Sequence, residues 1–393
     1  MISVDEARKI IAEKTPSLGA EKVQLDDALG RVLREPVIAD TDQPPFDRSA
    51  MDGYAIRADD KSETFKIITL IQAGDTPAVS LQPGECARIF TGAPIPPNGG
   101  IVIRQEDTLV ADQVMRITER AAKTHIRKKG EEVKAGTILI QPGQLLRPVD
   151  LSVMAGVGHT QVSVSRKPRV LHLSSGNELV KPDQIPKPGQ IRDSNSILIK
   201  SLVAQSGGEI AGHLHAGDHL EEILQAARSF PPAYDILLFS GGASVGDFDY
   251  AATTLEQLGF TIHFRQVSVR PGKPLIFATK DRQIAFGLPG NPVSHFVTFH
   301  LFVRAAIRKL QNLEPLEECH SAILSADQNE LPNPRETYWP ASFDHSISPS
   351  GLLPLQQESS GHLASLLRAE ALIKIPANSA PMAKGQVVTF LPV

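Results

Sequence analysis

Three segments of this chain, each punctuated by glycine and two of them also by proline, combine backbone amides with hydroxyls or cations, which is the chemistry that holds phosphates and small oxyanions. The first, Ser240-Gly241-Gly242-Ala243-Ser244-Val245-Gly246-Asp247-Phe248-Asp249-Tyr250, follows an apolar run and precedes a helical pattern. Its glycines let the backbone approach a ligand, and Ser240 and Ser244 add hydroxyls. No Lys-Ser/Thr follows the glycines, so it is not a Walker loop, and a tight strand-to-helix turn is the plain alternative. The second, Arg270-Pro271-Gly272-Lys273-Pro274, is a stiff loop presenting two cations together. It suits an oxyanion at low ordering cost, or is a solvated turn. The third, Gly287 to Ser294 with Gly290 and Asn291, offers amides at a helix N-terminus, or is simply a capped helix start.

Carboxylates recur at expected loop positions: Asp52, Glu178, Asp193, Asp218 and Asp249. Four of the five follow strands or open helices in the segment after residue 167. An oxygen-rich set of this kind suits Mg²⁺, which keeps several waters and shares ligands with a substrate phosphate. Each one alone reads as a cap or surface charge, and Asp218 as an N-cap is worth about 1 kcal/mol. His213 and His215 fall on the same face of one strand, without a cysteine or third histidine nearby in sequence, so zinc is not expected. No Gly-x-Ser-x-Gly elbow or Gly-x-Gly-x-x-Gly fingerprint supports a hydrolase or dinucleotide reading.

The elements that must position these residues are legible in outline. Ser3 and Glu6 form a capping box ahead of a first helix carrying Val4, Ala7, Ile10 and Ile11, and a second short helix is expected over Leu25 to Leu33. Short β-like pieces between Gly and Pro turns follow, with the compact loop Phe46 to Ala55 among them. The segment 136–164 is expected to pack with the first helix, making the β-rich stretch an insertion. From 167 onward strands alternate with helices, which means a doubly wound parallel α/β sheet with ligands at the carboxyl ends of its strands. Asp218 and Glu221 open one helix there, and Asn291 with Pro292 opens the last. The expected domains are 1–40 plus 128–166 (helix-containing linker), 41–127 (β-rich insertion), 167–315 (α/β) and 316–393 (small, β-barrel-like).

Composition sets the bounds. At 393 residues, a prior of about 150 residues per domain gives two to three domains. A net charge of −4 argues against a polycation that binds nucleic acid. Cys86 and Cys319 cannot make a disulfide framework, the first residues lack a secretory signal, and no apolar run has the 18 or more residues of a membrane span. A cytoplasmic protein is expected.

The ordered set Phe46-Asp47-Arg48-Ser49-Ala50-Met51-Asp52-Gly53-Tyr54-Ala55, Thr91-Gly92-Ala93-Pro94, Ser175 to Leu179, Pro188 to Asn195, the Ser240 loop, Pro271 to Pro274 and Gly287 to Ser294 resembles the molybdopterin molybdenumtransferase family, which includes the E domain of gephyrin-type proteins. The likeness runs almost the full chain and implies that 167–315 is the molybdopterin-binding domain. It implies insertion of molybdate into adenylylated molybdopterin with Mg²⁺, releasing AMP. By motif, the resemblance gives Asp52, Glu178 and Asp249 catalytic roles, and Glu178, Asp218 and Asp249 the metal. It gives Thr91, Asp193, Asp218, Ser240, Gly241, Gly242, Ser244, Gly290 and Asn291 to the cofactor substrate, and Arg270, Lys273, Ser294, Arg335, Ser360 and Ser365 to molybdate. It further implies a homodimer whose cleft is shared between subunits, supplied by a molybdopterin adenylyltransferase. Arg270, Asn177, Arg192 and Glu370 depart from the residues usual in that family. A nicotinamide-nucleotide amidase on the same α/β module and a non-catalytic cofactor-binding scaffold are the alternatives.

Overall fold

The computed structural model describes residues 1–120, 123–231, 233–241, 250–315, 319–346, 350–357 and 359–393. Among them no helix is long and apolar enough to cross a membrane. Ser3 accepts the Glu6 amide at 3.1 Å and caps helix α1 (Val4–Lys14). The buried Val4, Ala7 and Ile11 pack into the core under the α/β sheet, with Phe302 and Ile307, and not against residues 136–164 as expected. Helical spacing fixes which face is apolar but not what covers it.

Residues 20–39 do pack with 138–164. Ala20–Gln24 pairs antiparallel with Gln161–Ser165, and Leu33, Val37, Ile140, Leu146, Val164 and Met154 of helix α2 (Pro148–Gly156) share one core. The helix expected over Leu25 to Leu33 is a single 3₁₀ turn, Leu25–Asp27. Gly30 takes φ +69°, and Val32 and Leu33 then bridge to Leu145 and Val164, so pairing overrides local propensity.

The β-rich stretch folds as a six-stranded sheet ordered Ile101–Arg104, Gly53–Ile56, Glu85–Ile89, Thr64–Ile71, Val114–Ile117, Thr108–Ala111. Gly53 is required where the Asp52 loop enters this sheet, because a Cβ there would lie 2.0 Å from the Ile103 carbonyl oxygen.

The central sheet runs Glu209–Ala216, Arg169–Ser175, Ile236–Ser240, Gln283–Leu288, Pro274–Lys280, Thr261–Gln266. Its first four strands are parallel, as the doubly wound expectation has it, and the last two join antiparallel at one edge. The Asp281-Arg282 connection is too short for a crossover and forces a hairpin. Helices cover both faces: α1, α3 (Asn195–Gln205), α6 (Pro292–Thr298) and α7 (Arg304–Leu310) on one, α4 (Leu220–Ser229) and α5 (Tyr250–Gln257) on the other. A five-residue π segment, Phe299–Val303, joins α6 to α7. The fully buried Ile236–Ser240 strand reads as a continuous apolar run because both its faces are covered.

The C-terminal sheet is ordered Val269–Arg270, Glu336–Asp344, Ala371–Ile375, Val387–Pro392, His320–Ile323, with Gly351–Pro354 added to Glu336–Asp344. Its first member belongs to the α/β segment: Arg270 pairs in register with Thr337. That pairing fixes the C-terminal domain against the carboxyl end of the central sheet.

Candidate functional site

A cleft of ≈ 750 Å³ opens where the central strands end and the C-terminal sheet begins. The strand Arg169–Ser175 delivers Ser175, Gly176 and Glu178, and the strand Ile236–Ser240 delivers Gly241. Gly241 has φ +94°, and a Cβ there would lie 2.3 Å from the Ser175 carbonyl oxygen and 2.9 Å from its hydroxyl. Only glycine lets these two strand ends approach so closely. The Ser175 hydroxyl is buried and has no partner among the described residues. At Gly176 a Cβ would meet the Glu178 carboxylate oxygens at 2.7 and 2.9 Å, so that glycine leaves the space the carboxylate occupies.

Asp218, for which an N-cap is the plain alternative, is not one. Helix α4 starts at Leu220 with His219 in the cap position, while the Asp218 carboxylate accepts the Asn177 amide at 2.9 Å. Asn177 returns the interaction, accepting the Asp218 amide at 3.3 Å. The pair joins two adjacent loops and turns Asp218 into the cleft beside Glu178. Asn291 does hold the cap position of α6, but its side chain caps nothing; it donates to the Ser360 hydroxyl at 2.8 Å. The Val293 amide donates to the Ser360 carbonyl at 3.0 Å, a second tie between α6 and the C-terminal domain.

The opposite wall is cationic. The loop Arg270 to Pro274 lies against α6, where Gly272 at φ +107° would place a Cβ 2.4 Å from the Thr298 methyl carbon. The Lys273 carbonyl is held by the Val267 amide at 3.0 Å. Arg270, Lys273, Arg335, Ser294 and Ser360 all line the one cleft, joined by Glu330, Thr337, Trp339, Gln357 and Ser359. Arg335 donates to the Val269 carbonyl at 3.2 Å. Burial, then the neighbouring Arg270, lowers its guanidinium from the ordinary arginine value. Lys273 has no carboxylate partner among the described residues. Hydroxyls, amides and such cations around one volume can hold a tetrahedral oxyanion.

A second hollow of ≈ 450 Å³ continues the cleft, sharing Ser175, Glu178, Gly241, Gly290 and Asn291 with it and adding Asp193, Asn195 and Ser240. Asn195 donates to the Gly290 carbonyl at 2.7 Å, and Asp193 accepts the Ser196 amide at 3.0 Å as well as its hydroxyl. The Ser240 hydroxyl is 2.7 Å from His172 Nε2. His172 stacks on His213, with ring centroids 4.8 Å apart, which brings a third imidazole beside His213 and His215 that spacing along the chain did not reveal. Burial holds His172 well below the ordinary histidine value, so it is neutral at pH 7. The described residues contain no group of three or more His, Cys, Asp or Glu able to hold a metal.

Three expected residues stand apart from the cleft. Ser365 spends its hydroxyl on the His362 carbonyl at 2.6 Å and does not line the cleft. Asp52 and Thr91 sit together in the inserted sheet's loops: the Thr91 amide and hydroxyl donate to Asp52 at 2.8 and 2.7 Å and hold its carboxyl below the usual range. Neither lines the cleft of its own chain. Gly242, Ser244 and Asp249 lie outside the described residues. The lining residues missed by sequence reasoning, Glu330, Thr337, Trp339, Gln357 and Ser359, come from the C-terminal domain 60 to 89 positions after Arg270, Thr337 and Trp339 from its strand Glu336–Asp344 and the others from loops. Strand pairing, not spacing, brings them in.

Three family models match the chain in order: the MoeA N-terminal region (domain I and II) over residues 2–158, a probable molybdopterin binding domain over 172–309, and the MoeA C-terminal region (domain IV) over 323–393. A molybdopterin molybdenumtransferase from Nostoc sp. is 36% identical over 411 residues, spanning 100% of this chain and 94% of that protein. The chain belongs to this family. A second member, from Staphylococcus epidermidis, is 31% identical over 404 residues, spanning 99% of this chain and 95% of its own. The crystal structure of the molybdopterin biosynthesis MoeA protein from Pyrococcus horikoshii is 28% identical, covers 100% of both chains and superposes with a TM-score of 0.83. Matches on both sides of the α/β segment go beyond what an amidase on that module alone would share.

Proposed function

We infer that this protein is a transferase of molybdenum cofactor biosynthesis that takes up molybdate in the cationic half of the cleft and an adenylylated molybdopterin along the strand-end half. The observation that carries the reading is the meeting of Arg270, Lys273, Arg335, Ser294 and Ser360 in one volume with Glu178, Asp218 and the Ser175–Gly241 strand ends. Molybdate is a small dianion, matched by cations and hydroxyls. The phosphates of an adenylylated molybdopterin suit the Gly241 and Gly290 turns, where backbone amides are unobstructed by side chains. Asn291 and Ser360, bonded to each other, set the distance between the two halves.

The cleft also suits Mg²⁺, which needs few protein ligands when a substrate supplies phosphate oxygens. Glu178, for whose carboxylate Gly176 leaves room, and Asp218 would hold it, with Asp249 as a third candidate. Bound there, it would supply neutralisation of phosphate charge as AMP leaves. The chain's own cations hold molybdate, while the paired strand ends orient the phosphates.

Asp52 and Thr91 enter the reading through a second subunit. We propose a cytoplasmic homodimer in which the inserted sheet of one subunit brings its Asp52 to the cleft of the other, with a molybdopterin adenylyltransferase supplying the substrate. The experiment is AMP release from adenylylated molybdopterin, with and without molybdate and Mg²⁺. Release that needs both is expected; binding without release would make the protein a scaffold and refute the reading.

A further inference from the structure

Six ionisable side chains line the main cleft among the described residues: Arg270, Lys273 and Arg335, and Glu178, Asp218 and Glu330. Two of the carboxylates rise from the α/β strand ends and contact none of these cations. Glu330, from the C-terminal domain, differs: its Oε1 lies 2.5 Å from Arg270 Nη1, with a side chain only 16% exposed. Its backbone is fixed as well, since the Glu330 amide donates to Gln328 Oε1 at 2.8 Å. A half-buried carboxylate here looks misplaced, because anions repel one another where a dianion must sit.

We propose that Glu330 is the charge-balancing residue of the oxyanion subsite: by pairing with one edge of Arg270 it limits how tightly the subsite holds any dianion, so that molybdate stays exchangeable and transferable. This rests on the oxyanion reading above. Arg270 disfavours the charge on Arg335 in the same cleft, and the Glu330 carboxylate on Arg270 relieves that crowding. Tight binding of the free oxyanion would deepen the ground state without helping transfer. With Arg270 compensated, Lys273 and Arg335 remain as cations without a carboxylate partner among the described residues, enough to match a divalent anion. Selection then falls more on the Ser294 and Ser360 hydroxyls than on bulk charge.

The sign of the mutational effect separates this role from a structural one. If Glu330 merely held Arg270 in place, removing its charge would weaken binding. As charge balance, Glu330→Gln, which keeps the size and an acceptor oxygen for Arg270, tightens binding. The expected change is about tenfold at low salt, with a steeper loss of affinity as ionic strength rises. Sulfate, a dianion of the same shape, gains affinity as well. Glu330→Met removes the charge by another route and carries the same expected sign. Calorimetric titration of the purified full-length protein with molybdate, and separately with sulfate, at two salt concentrations tests this, with Lys273→Ala alongside. Tightening in either Glu330 variant together with weakening in Lys273→Ala supports the proposal. Unchanged or weaker binding in the Glu330 variants, with Lys273→Ala still weakened, overturns it and leaves the oxyanion reading standing. Unaltered binding in Lys273→Ala would take down the oxyanion reading and this proposal with it.

Discussion

Removing Lys273 takes out one of the two cations in the cleft that have no carboxylate partner among the described residues. Arg270 is neutralised by Glu330, whereas Lys273 faces the same volume with no carboxylate partner among the described residues. A dianion about 4 Å from an ammonium gains roughly 8 kcal/mol at an effective dielectric constant of about 20. Desolvation of both groups offsets most of that, and net values for hydrogen bonds to charged groups are about 1.5–3 kcal/mol. Lys273→Ala is therefore expected to weaken molybdate binding about 10- to 150-fold. The assay is calorimetric titration of molybdate, paired with the molybdate dependence of AMP release. Lys128, which pairs with Asp47 at 2.7 Å away from the cleft, provides the control. Lys128→Ala changes net charge equally and should leave both curves in place. A molybdate affinity in Lys273→Ala within about threefold of wild type would refute the placement of the oxyanion in this cleft, since the Lys273 ammonium has no carboxylate partner among the described residues.

Further expectations follow from single contacts. Gly241→Ala forces a Cβ onto the Ser175 carbonyl at positive φ, and strain of about 1–3 kcal/mol should appear as a lower melting temperature with lost AMP release; a wild-type melting curve would contradict the close approach. Asn291→Ala breaks the tie to Ser360 and should cost about 1 kcal/mol in urea unfolding while weakening molybdate binding, which an unaltered titration would exclude. Mixing Asp52→Asn chains with Glu178→Gln chains should restore about a quarter of wild-type turnover if the cleft is shared across a twofold dimer, and none if each chain works alone. Acid lability is expected from His295, which burial pushes down to about 4 from 6.5. Because the unfolded imidazole takes up a proton that the folded one refuses, stability is lost as pH falls from about 6.5 to about 4, by about 3 kcal/mol for this residue. Urea midpoints at pH 7.5 and 5 measure it, and His295→Leu should flatten the slope.

How much was legible before folding depended on the range of the interaction. The chain alone marked its own punctuation. Ser3 and Glu6 announce α1, the apolar run before Ser240 announces a doubly covered strand, and Gly241, Gly272 and Asn291 mark turns that present backbone or side chains to a ligand. These are local matters of dihedral preference and capping, decided within a few residues. Motif order along the chain likewise carried the family, because order and spacing are properties of sequence.

Partners across the chain were another matter. That α1 packs under the α/β sheet, that Asp218 bonds to Asn177 instead of capping α4, and that Ser365 turns to His362 depend on which of several equivalent partners the fold brings within 3 Å. Glu330 carries no local signal at all, yet the register of Arg270 against Thr337 carries its neighbourhood into the oxyanion wall. The sequence by itself determined which residues could bind phosphate and oxyanion, since that is a matter of side-chain chemistry. Only the tertiary structure decided which of them share one volume and which charges cancel, because Coulomb and hydrogen-bond energies depend on distances that no separation along the chain specifies.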